Sequence, residues 1–189
     1  MKRRTPQNPH DTATERTGPA HRLRTTALDS AAAVAASGVH NAVDVSKVAC
    51  TRVGETFIGS CRSGMWDDLE QASAIPQRSI APHVRLFIEP GSEASTKRIA
   101  SSGLMQTFIE AGAVMLPAAC CPCKDTEIGP VHSGKVKPST TTKNNARRFG
   151  TRDAKLFLGS LATVAISAVI GHITDPREFL STQKIESAG

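Results

Sequence analysis

The sequence predicts an α/β fold built on a mainly parallel sheet, and three patterns carry that prediction. From Val48 onward, short apolar runs alternate with segments whose apolar residues recur at helical spacing. Glycine, proline or polar residues end each apolar run, as they do where a strand hands over to a helix. Strands separated by helices pair in parallel and are covered by those helices.

Taken in order, residues 1–41 read as a basic, disordered tail. Met1 to Ala27 carry six Lys/Arg and three prolines, and Leu23 is the only large aliphatic besides Met1. Such a segment cannot bury enough apolar area to offset its ordering entropy. Asp11, Glu15 and the prolines argue against an amphipathic targeting helix. LDSAAAVAASGVHNAV, Leu28 to Val43, is alanine-rich and reads as a short helix weakened by Gly38. The folded domain is expected over 42–180, with 181–189 as a C-terminal tail.

Within the domain, ETFIGS reads as a strand. SGMWDDLEQASAI is a helix stopped by Pro76, with Asp67, Asp68 and Glu70 suited to its start. HVRLFIEPG is a second strand, and SEASTKRIASSG a helix with Ser92 as its N-cap. LMQTFIEAG is a further helix and AVMLP a third strand. KVKPSTTTKNNARRFGTR reads as a basic polar loop; KLFLGS then returns to strand and LATVAISAVIGH to a buried helix.

A hydrophobic fraction of 39% permits a core, and aromatics at 4% make it an aliphatic one. The net charge of +6 suits an anionic partner. The longest apolar run, around Leu161 to Ile170, is about half of the roughly 18 residues that span a bilayer, so no membrane partner is expected. The basic stretch from Lys135 to Lys155 has Phe149 as its one ring for base stacking and no nucleic-acid motif, which argues against a nucleic-acid partner.

Five unevenly spaced cysteines, with no secretory h-region, point to thiols in a reducing compartment: the cytoplasm, or else the mitochondrion. Cys61 follows one predicted strand. Cys120 follows another, 59 positions later, and Cys123 completes C-x-x-C. In parallel sheets, sites collect where strands end at their carboxyl edge. Three thiolates would leave one coordination position open, as a catalytic centre does. Spacing alone also allows a structural zinc with Cys50 as fourth ligand, a redox dithiol, inert buried cysteines, or a 4Fe-4S cluster held on three legs. His132, nine positions past Cys123, reads as a solvated loop histidine.

TFIGSC, APHVRLFIEPGS, FIEAGAV, PAACCPC, STTTKNNARRFG and LFLGSLATVAISAVIGHITDPREF follow one another from about Val43 to Leu180. In that order they resemble the aconitase superfamily, and most closely the large subunits of its 3-isopropylmalate dehydratase group. The resemblance implies a three-layer αβα domain like the third domain of aconitase-type enzymes. It also implies a hydro-lyase scaffold in which Cys61, Cys120 and Cys123 hold a 4Fe-4S cluster, while Cys121 stands at a glycine position and is not a ligand. Arg148, Lys143 and Asn144 fall on the family's substrate-binding loop, where two arginines hold carboxylates; Lys143 replaces the first of them. Arg147 stands at a glycine position, Arg62 and Ser63 replace the Thr and Asn or Gly after the ligand cysteine, and Leu161 replaces a proline.

The implied substrate is a di- or tricarboxylate such as 3-isopropylmalate, of leucine biosynthesis. The implied partners are a small subunit or swivelling domain and the remaining large-subunit domains. Without them the chain is expected to have little activity. A non-catalytic metal-binding or interaction protein derived from the same domain is the alternative.

Overall fold

The computed structural model describes residues 33–36, 41–73, 79–119, 131–142, 144 and 150–178. Seven strands form one sheet: β1 (Ala33–Ala36), β2 (Ala42–Asp44), β3 (Glu55–Gly59), β4 (Arg85–Glu89), β5 (Val114–Met115), β6 (Val136–Ser139) and β7 (Lys155–Leu158). Their spatial order is β2-β1-β7-β6-β3-β4-β5. The five strands from β7 to β5 are parallel, whereas β1 runs antiparallel to both β2 and β7. The helices are α1 (Ser60–Ser63), α2 (Trp66–Ser73), α3 (Glu93–Ser101), α4 (Leu104–Glu110) and α5 (Leu161–Ile170). The mainly parallel α/β architecture is the one the alternating pattern predicts.

One face of the sheet presents Ile58, Leu86, Ile88, Val136 and Phe157. Leu69 and Ala72 of α2, Ile99 of α3, Phe108 of α4 and the buried run of α5 pack against them as a single core. The sequence of α5 explains its place: it is apolar nearly all round, so it must be enclosed. Ser92 and Ser160 cap α3 and α5 by accepting from the N–H groups of Ser95 and Thr163. Asp67 and Asp68 lie in the first turn of α2, and the Asp68 carboxylate accepts from the Met65 N–H at 3.3 Å. No helix among the described residues is long and apolar enough to cross a membrane.

Two elements differ from the sequence reading. The alanine-rich segment expected as a helix contributes strand β1, which lies ahead of the domain boundary expected at residue 42. Ala33, Val34 and Ala35 pair with Asp44, Val43 and Ala42, and Ala35 and Ala36 pair with Leu158 and Phe157. Alanine's helix preference is a fraction of a kcal/mol per residue, roughly, and hydrogen bonding on both sides of the strand overrides it.

The second difference is larger. The segment read as a basic polar loop contains β6, a central strand with all four residues buried. Its Pro138 faces β3, since Val136 accepts from Gly54 and Thr140 donates to Phe57 on that side. A proline there removes one ladder donor, and β3 and β6 accordingly share a single register pair, Phe57 with Ser139.

Lys137 of β6 is buried on the opposite face from the helices. Its Nζ lies 3.8 Å from Glu55 Oε2 and 5.7 and 5.4 Å from the centres of the Phe57 and Phe87 rings. Arg85 also bonds Glu55 and lies over Phe87. Burial is the main reason that the Lys137 ammonium titrates at about 8 rather than 10.5, although Glu55 opposes the shift.

Candidate functional site

The chain runs β3, β4, β5 across one half of the sheet and then returns to the other side of β3 as β6 and β7. The order therefore reverses between β3 and β6. In open α/β sheets such a switch point opens a crevice outside the carboxyl ends of its two strands.

The exits of β3 and β6 meet there. Gly59 N–H donates to Thr140 Oγ1 at 3.0 Å, and Thr140 N–H donates to the Phe57 carbonyl at 3.0 Å. Gly59 has φ of +132°, and a Cβ on it would sit 1.9 Å from the Glu89 carbonyl oxygen. Only glycine fits that approach. Ser60 follows at φ +77°, fully buried, and its hydroxyl has no hydrogen-bond partner among the described residues. A left-handed serine beside a strand end is the sort of backbone strain that gathers at functional sites.

Cys61 comes next, exposed in α1. The Glu89 side chain, buried on the same face as Gly59 and Ser139, ends β4 beside this turn. The capped N-termini of α3 and α5 open at the same edge, just after β4 and β7, so two helix dipoles present their positive ends there. An edge of this kind favours an anionic ligand.

Several of the residues singled out in the sequence can be placed. Cys61 stands at the switch point. Asn144 is fully buried, and its Nδ2 donates to the Leu156 carbonyl at 3.4 Å, tying the segment after β6 back to β7. The chain leaves β5 at the same carboxyl edge, through Leu116, whose N–H donates to the Ile88 carbonyl. Cys120, Cys121, Cys123, Lys143, Arg147 and Arg148 lie outside the described residues. Among the described residues, no three His, Cys, Asp or Glu side chains converge as metal ligands.

Cys50 precedes β3 and hydrogen-bonds through its N–H to Ile173, beyond the far end of α5. The five residues of β3, about 17 Å, stand between it and Cys61, so the two cysteines do not belong to one zinc site. His132 is exposed, as a solvated loop histidine should be, and precedes β6 at the amino edge.

Sequence reading missed the Glu55, Arg85 and Lys137 cluster. The available signal was Glu55 itself, an acid at an inward strand position that requires a buried cation opposite.

A family model described as Aconitase family (aconitate hydratase) matches residues 4–171. The 3-isopropylmalate dehydratase large subunit 1 of Archaeoglobus fulgidus is 38% identical over 141 residues, covering 74% of this chain and 34% of the relative. The 3-isopropylmalate dehydratase large subunit of Mycolicibacterium smegmatis is 38% identical over 142 residues, covering 75% and 34%. The homoaconitase large subunit of Thermus thermophilus is 37% identical over 141 residues, covering 74% and 34%. The chain thus spans about a third of the length of these curated relatives.

Proposed function

We propose a hydro-lyase role for this chain, which belongs to the aconitase family: it is the cluster-holding part of an enzyme that dehydrates and rehydrates a hydroxy polycarboxylate. Cys61, Cys120 and Cys123 are the thiolates that would hold a 4Fe-4S cluster. The observation that carries the reading is the position of Cys61, an exposed cysteine at the switch point, on the edge where the chain leaves β5 toward Cys120. A cluster on three thiolates supplies an iron that can act as a Lewis acid toward a hydroxyl and a carboxylate.

The chain's own residues bind and orient. Arg148 offers a planar fork to a distal carboxylate, and Lys143 offers a point charge beside it. Asn144 holds the base of that loop through Leu156. The helix N-termini of α3 and α5 add positive field at the same edge. Relatives named as large subunits support a small-subunit partner, and their names support 3-isopropylmalate or a homoaconitase substrate. The proton-abstracting base comes from those other parts, so the chain alone has little turnover. Thiolate ligands require a reducing compartment, which makes the cytoplasm the natural location.

Anaerobic reconstitution of the full chain with iron and sulfide tests this. A brown protein with thiolate-to-iron absorption is expected, lost in Cys61→Ser, Cys120→Ser or Cys123→Ser and kept in Cys121→Gly. Stoichiometric zinc without iron uptake would overturn it. Turnover of 3-isopropylmalate by the chain alone would overturn the assignment of the base to other parts.

A further inference from the structure

At the edge of the sheet opposite Cys61, the amino ends of β3 and β6 and the residues before β4 enclose a cleft of about 200 Å3. Arg52, Gly54, His83, Gly134 and Lys135 line it. Three separate segments bring its basic side chains together, and the main chain pins each one. Arg52 bridges to His172, between Thr51, which accepts from Ile173, and Val53, which donates to Gly171. His83 donates through Nε2 to the Gly171 carbonyl at 3.2 Å. Lys135 donates to His132 and accepts from Lys155. Its side-chain stem lies across Gly54, where a Cβ would come within 2.9 Å of Lys135 Cδ.

Neither Arg52 nor Lys135 has a carboxylate within ion-pair distance among the described residues. The acids at this edge are engaged elsewhere. Glu55 is held by Arg85 and Lys137, and Asp153 accepts from the Ser133 hydroxyl and the Gly134 N–H. A concave site with two unbalanced cations is short of negative charge.

We propose that this cleft binds a small oxyanion of the phosphate class. The Arg52 guanidinium supplies a two-pronged contact and Lys135 a point charge, as such oxyanions require. The assignment goes beyond the hydro-lyase reading and does not depend on it, because the cleft and Cys61 occupy opposite ends of β3.

The test is titration of the full chain with inorganic phosphate, against chloride at matched ionic strength, followed by backbone amide shifts. Saturable shifts are expected at Arg52, Gly54, Gly134 and Lys135. Lys135→Gln and Arg52→Gln should each weaken binding about five- to ten-fold, the loss of one charge-assisted contact. Lys97→Gln, on the exposed face of α3, should leave it unchanged, and the amide fingerprint itself reports that each variant is folded. Linear shifts scattered over the surface, shifts centred on the N-termini of α3 or α5, or unaltered affinity in Lys135→Gln would overturn the proposal.

Discussion

The Gly59 N–H reaches the Thr140 hydroxyl across 3.0 Å, a side-chain bond that joins β3 to β6 just beyond the point where Pro138 withholds a main-chain donor. Both residues sit at the switch point, so the bond holds together the two lips of the crevice.

Thr140→Val should therefore strand a buried N–H and cost about 1–3 kcal/mol. Thr140→Ser should recover most of it. Urea unfolding of the two variants beside the parent measures the difference.

Two glycines with positive φ should respond differently to a methyl group. Gly103 at φ +82° has nothing within 4 Å of the added carbon, whereas at Gly59 that carbon would lie 1.9 Å from the Glu89 carbonyl. Gly103→Ala should cost about 1 kcal/mol, from the left-handed backbone alone. Gly59→Ala should cost more than about 3 kcal/mol, because β4 must move. Equal midpoints in a denaturant series would show that the approach to Glu89 is slack.

Lys137 makes stability depend on pH. Its ammonium titrates at about 8 in the folded chain and near 10.5 when unfolded. Between those values the unfolded chain binds the extra proton, so stability rises with pH across that window. The charged form costs the folded state most below pH 8. The full rise is about 3 kcal/mol, an order-of-magnitude figure for a buried amine facing Glu55. Subtracting the urea-unfolding stability of Lys137→Met from that of the parent between pH 7 and 10 isolates the slope, and a flat difference would refute it.

Cys61→Ser should leave the fold intact, within about 0.5 kcal/mol, because the side chain is exposed. It should nonetheless abolish iron retention after reconstitution, while Cys50→Ser should change neither. Iron content and urea midpoints, measured on the same preparations, separate ligand loss from unfolding.

Much of the architecture was legible in the sequence, and the exceptions have physical causes. β3, β4, β7 and α2 to α5 declare themselves through periodicity, caps and stops such as Ser92 and Ser160. β6 hid because Pro138 and two lysines look like a loop. Lys137 is tolerated in the interior beside Glu55 and two phenylalanine rings, contacts far away in the chain. β1 hid because alanine speaks for helix until two neighbouring strands bond it. The location of Cys61 at a strand end was readable, whereas the switch point beside it depends on strand order, which no local pattern encodes.

The turn that carries Cys61 is set by backbone meeting backbone. Cβ atoms on Gly59 and Gly64 would both strike the Glu89 carbonyl, and one on Gly91 would strike that of Ser60. Neighbouring side chains such as Arg62 and Ser63 take no part in those contacts. The thiol's address is thus written in the main chain, and its flanking residues are free to change what a ligand meets there without changing where the sulfur stands.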